Sequence, residues 1–246
     1  MNTTKGSPLG TSSKTAMIVG ALYIIGTVAG ILSLVFTEPI LERTDYLAQI
    51  YTSPNQIVIG ALFVLTMGLA LAMVPVMMFP ILRRYNEALA VGYVVFRGAL
   101  EGATYLALAI GWFFLPLISR EYIKASARDA SAFQSVSTVV LEAHDQIGHV
   151  LTIVFIVGAL MFYYVLYRSK LVPRWLSGWG LLAALPYFVA GVLGLFTLLR
   201  PMSGIYMVLV LPMAVQEMVL AVWLIAKGFN SSPVISELST VATSQA

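Results

Sequence analysis

Arg97, Glu101, Asp145, His149 and Glu217 are the residues of this chain best placed to do chemistry, because each lies inside a stretch that is otherwise apolar. Arg97 and Glu101 stand four residues apart, a spacing that puts both on one helix face and lets them pair. Glu217 follows Gln216 in the last apolar stretch, and the run Glu142-Ala143-His144-Asp145-Gln146-Ile147-Gly148-His149 opens the fourth. At about 100° per residue, Glu142, Asp145, Gln146 and His149 share one stripe, which Ser135 and Thr138 extend if the helix begins earlier. His144 points roughly the other way.

Burying these groups has chemical consequences. A charge at the bilayer centre costs at least about 2.5–3.5 kcal/mol. Glu101, Asp145 and Glu217 are deep acids facing one deep fixed cation, Arg97, while Glu142 lies close to an interface. The excess carboxylates must carry protons, pair with a charged His149, reach a water-filled cavity or bind a cation. The leading reading is an ion- or small-solute-handling protein in which Glu101, Glu217 and His149 exchange protons or hold a cation. Arg97 would then set the charge state of the two glutamates or hold an anionic ligand group.

Two other readings stay open. Glu142, Asp145 and His149, with Glu101 or Glu217 from facing helices, form a carboxylate–imidazole set suited to a divalent metal such as Zn, Mn or Fe. That would suit an intramembrane enzyme acting on a lipid-soluble substrate. The chain has only two histidines and no Glu-x-x-His pair, which excludes three-His sites and the repeated motif of bundle di-metal centres. It also has no cysteine, which excludes thiol nucleophiles and thiolate metal sites. In the third reading the polar residues only tie helices together, as in a scaffold or sensor subunit. Whether the protein is an enzyme is left open by the residues themselves.

The elements that must position these groups are legible. Six apolar stretches, near Lys14–Phe36, Gln56–Leu82, Leu89–Leu115, Leu141–Tyr167, Trp175–Leu199 and Gly204–Ala226, are each long enough to span a bilayer as helix. Hydrophobic residues make up 59% and charged ones 10% of the 246 residues, which leaves no room for a second globular domain. The expected fold class is all-α, a polytopic membrane helix bundle with six transmembrane helices. Residues 1–13 are expected to form a cytoplasmic N-terminal tail, 14–229 the six-helix membrane domain and 230–246 a disordered C-terminal tail. Lys5 and Lys14 precede the first stretch, but it is too long for a signal peptide and reads as an uncleaved span. The basic residues sit scattered at helix ends, so nucleic acid is not an expected partner. The expected partners are the lipid bilayer, a small-molecule or ion ligand, and a second copy of the chain in a homodimer.

Charge also orients the bundle. Lys5, Lys14, Arg83, Arg84, Arg168, Lys170, Arg174 and Lys227 fall on one side; Arg43, Arg120, Lys124, Arg128 and Arg200 fall on the other, with Glu38, Glu42, Asp45, Glu121 and Asp129. The positive-inside rule puts both termini in the cytoplasm. Of the two long outer connections, the one over Ser119–Val140 is expected to hold a short interfacial helix or to extend the fourth span. Pro75, Pro80, Pro186 and Pro212 interrupt spans and favour kinks. Gly26 with Gly30, and Gly98 with Gly102, have the small-xxx-small spacing of close helix packing.

Three stretches carry a resemblance: Tyr93-Val94-Val95-Phe96-Arg97-Gly98-Ala99-Leu100-Glu101, Tyr163 through Arg168 to Ser177, and Glu217 through Trp223 to Phe229. They resemble a bacterial family of uncharacterised six-span integral membrane proteins known only as a domain of unknown function. The resemblance covers about Lys14–Phe229 and implies a compact bundle in the bacterial cytoplasmic (inner) membrane. It implies no activity, cofactor or catalytic residue. Arg97, Glu101 and Glu217 match its pattern more closely than the Glu142–His149 run does.

Overall fold

The computed structural model describes residues 8–201 and 203–230, with side chains throughout except at 8–12, 127 and 128. The first seven residues and 231–246 lie outside the described residues, and with them most of the two expected tails. Long apolar runs with no water to satisfy their backbones fold as helix, and six of the helices are long and apolar enough to cross a membrane. They are α1 (Pro8–Leu41), α3 (Pro54–Leu82), the span α4 (Glu87–Tyr93) continuing through a π-helical segment (Val94–Leu100) into α5 (Glu101–Lys124), α6 (Ala127–Ser169), α7 (Arg174–Leu195) and α8 (Gly204–Ala226). A short α2 (Tyr46–Thr52) sits between the first two spans.

The spans close into a ring in chain order: α1 packs on α3, α3 on α5, α5 on α6, α6 on α7, α7 on α8, and α8 back on α1. Connections between antiparallel neighbours, short except for the one that holds α2, produce this order. Gly26 and Gly30 face Leu71 and Met67, and Gly98 and Gly102 face Pro75 and Ala72, so both small-xxx-small pairs lie against α3. On the seam that closes the ring, a Cβ at Gly20 would lie 2.5 Å from the Ala221 carbonyl oxygen.

The short helix outside the spans lies elsewhere than expected. It lies in the first long connection, as α2, where Ser119 Oγ donates to the Leu47 carbonyl at 2.6 Å and Tyr46 Oη lies 2.6 Å from Ser137 Oγ. The second long connection is instead used up by its neighbours: α5 runs on to Lys124 and α6 begins at Ala127. The Ser131–Val140 stretch is thus an outward extension of the fourth span. Its small and polar residues are compatible with helix once α2 supplies a packing surface.

Between α6, α7 and α8 the buried Gln216 acts as a polar tie. Its Oε1 accepts from Tyr163 Oη at 2.6 Å, and its Nε2 donates to the Leu176 carbonyl at 3.0 Å. Polar contacts between membrane helices contribute about 0.6–1.7 kcal/mol. Tyr163→Phe should therefore lower stability by about that amount in a detergent unfolding titration. An unchanged midpoint would show that the tie carries no net energy.

Candidate functional site

Arg97 is 1% exposed and holds two carboxylates from opposite parts of the chain. Its Nη1 donates to Glu101 Oε1 at 3.1 Å, one turn along its own span, and its Nη2 donates to Glu217 Oε1 on α8 at 3.1 Å. The guanidinium carbon stacks 4.1 Å from the centroid of Phe155 on α6, a cation–π contact in a dry setting. Gly158, one turn further along α6, makes room for the arginine stem: a Cβ there would lie 2.5 Å from Arg97 Cγ. The π-helical turn that contains Arg97 is wider than an α-turn, a device common at functional sites. With all three groups ionised the triad carries a net charge of −1.

One member of the triad, Glu217, forms part of the wall of a cavity inside the ring. This central cavity measures about 440 Å³ and is lined by residues of all six spans. Glu217 lines it; Arg97 and Glu101 do not. The exposures agree, since the Glu217 side chain is 15% exposed against 1% for each of the other two. Tyr105, Phe155, Tyr187 and Tyr206 give the wall an aromatic character, and Thr27, Ser33 and Thr152 add hydroxyls among aliphatic neighbours. His144 also lines it, its ring 4.0 Å from that of Trp112. The helical stripe was right to turn His144 away from Glu142 and Asp145, but the direction it turns is inward.

Glu142, Asp145, Gln146 and His149 do share a face, and they line a second cavity of about 320 Å³ with Thr197 and Arg200. It lies at the end of the bundle away from the termini. His149 is 3% exposed, with its ring packed against Gly194 of α7, and its Nδ1 has no hydrogen-bond partner among the described residues. Its ring lies 6.3 Å from that of Tyr206, so the two cavities abut there. The expected single cluster of Glu101, Glu217 and His149 is therefore divided in two. Among the described residues no three His, Cys, Asp or Glu side chains gather closely enough to hold a metal ion. For Glu142, Asp145 and His149 the reason is spacing: the outer two are seven residues, about 10 Å of helix, apart, and the histidine ring turns into Gly194. The metal reading gains no geometry from the fold.

The sequence offered no signal for Phe155 or Gly158 as partners of Arg97, because an aromatic and a glycine in an apolar span read as ordinary packing. Nor did it mark Tyr105, Tyr187 and Tyr206 as one lining. A model of the DUF4386 family, a domain of unknown function, matches residues 18–228. The chain belongs to this family. The match covers every span that builds the two cavities, and Arg97, Glu101, Asp145, His149 and Glu217 all fall inside it. Comparison with curated proteins and with solved structures found no match.

Proposed function

We propose that this membrane protein handles a small organic cation, which it binds in the central cavity with Glu217 as counter-ion. The observation that carries the reading is that, among the described residues lining that cavity, Glu217 is the sole Asp, Glu, Lys or Arg, while Arg97 is sealed behind it. A cation there would neutralise the net −1 of the triad, and the aromatic wall would face it with ring π-systems. An anionic ligand finds no such partner, since Arg97 does not reach the cavity. The volume lies within the range of small-molecule sites, about 300–1,000 Å³. The setting that fits best is the cytoplasmic membrane of a bacterium, with both termini in the cytoplasm, as the distribution of Lys and Arg favours.

Radiolabelled tetraphenylphosphonium binding to purified protein tests this. Wild type should bind saturably, and Glu217→Gln should weaken binding at least about tenfold, equivalent to about 1.4 kcal/mol. The glutamine variant should still fold, because Arg97 and Glu101 remain a balanced pair. Equal binding by both proteins, or no saturable binding by wild type, would remove the proposal.

A further inference from the structure

Beyond the central site, an apolar groove of about 570 Å³ runs on the outside of α8 from Ala214 to Lys227. Its wall is almost wholly apolar, including Met218, Val219 and Val222. One feature links it to the inside of the ring: Thr27 on α1 and Ala214 on α8 line both the groove and the central cavity. Ala214 is exposed. Ile31, one turn beyond Thr27, also lines the central cavity although it is 56% exposed, so it stands at a rim. Near the termini side the same two helices are in backbone contact at Gly20 and Ala221. The seam between α1 and α8 is thus shut at one level and lined by cavity residues at the next. Pro212, inside α8, removes a backbone hydrogen bond at the level of the opening.

We infer that the ligand of the central cavity is an organic cation already dissolved in the bilayer, and that it enters sideways between α1 and α8 at Thr27, Ile31 and Ala214. The inference rests on the proposed function and adds the ligand's physical class: an apolar body that partitions into lipid and carries one positive charge to Glu217. Both parts are needed. The groove presents apolar surface to a body arriving from hydrocarbon, and the carboxylate lies only three residues along α8 from the shared Ala214.

The test uses wild type, Ala214→Trp, Ile31→Trp, Arg200→Trp and Glu217→Gln in lipid nanodiscs, with tetraphenylphosphonium as probe. Rapid filtration gives association and release rates, and equilibrium binding gives affinity. Ala214→Trp and Ile31→Trp put an indole on opposite lips of the opening, so a defect in one that is due to misfolding is exposed by the other. A blocked route slows association and release together, by about tenfold or more, and by more than any shift in equilibrium affinity that an indole at the cavity rim produces. Arg200→Trp, at the second cavity, should leave both rates as in wild type. Unchanged rates in both lip variants would overturn the lateral route, and so would slowing by Arg200→Trp alone, which would show entry from water. In either case the proposed function stands if Glu217→Gln still loses binding. Wild-type binding that does not depend on Glu217 would remove both.

Discussion

Arg97→Met is expected to cost about 3–5 kcal/mol of stability, because it leaves two carboxylates inside the bundle with no cation. Arg97 is fully enclosed and bonds Glu101 and Glu217 at 3.1 Å each, so no other described side chain can take over both contacts. Its loss also empties the space over Phe155. The cause should be charge more than volume, and a second variant separates the two. Replacing a whole buried ion cluster by neutral groups is often nearly neutral in stability. The triple variant Arg97→Met, Glu101→Gln, Glu217→Gln should accordingly recover most of what Arg97→Met loses. Unfolding in a denaturing-detergent titration reads both. A triple variant as unstable as the single one would mean that the triad matters for its packing and not for its charge.

Gly194→Ala is expected to be among the most damaging single methyl additions at the described glycines. A Cβ at that position falls on the ring of His149, which is itself almost fully buried. Overpacking of a tight contact costs typically 1–3 kcal/mol, and a ring that must leave its pocket puts this site at the upper end, about 3 kcal/mol. His149→Ala should relieve it: in the double variant the new methyl occupies space the ring has vacated. The coupling between the two substitutions should reach about 2 kcal/mol in a double-mutant cycle. Purely additive losses would show that the ring does not rest on Gly194. The cycle also separates two roles for His149. A packing role gives rescue of stability by the double variant, whereas a role in the second cavity's chemistry leaves function impaired in every variant lacking the ring.

Part of the site was legible in the chain because the relevant contacts are local. Arg97 and Glu101 are one turn apart, so the spacing that sets a helix face also sets their pairing. The stripe from Glu142 to His149 is local in the same sense, and the four residues line one cavity as their angular positions require. Glu217 was legible as an oddity, a carboxylate in an apolar span, although its partner 120 residues away was not. Phe155, Gly158 and the tyrosine lining were not, because a residue that makes room or offers a ring has the same sequence signature as one that fills a core. The error of joining His149 to Glu101 and Glu217 has a similar origin. Depth along a helix can be counted from sequence, but the rotation of that helix about its axis cannot, and His149 faces α7 at Gly194 while His144 faces the axis.

By itself, then, the sequence determined that the chain crosses a membrane as six helices. Hydrocarbon offers no hydrogen-bond partner to a backbone, and each of the six runs is long enough to span it. It also determined that the charges inside those helices would not balance one another. The tertiary structure decided which charges meet. Closure of the ring by α8 against α1 brings Glu217 to Arg97, leaves the carboxylate on a cavity and the guanidinium behind it, and sends Asp145 and His149 to a separate chamber. Those choices depend on helix rotation and on where glycines let neighbours approach. Such contacts join residues far apart in the chain, and no periodicity along a single helix encodes them.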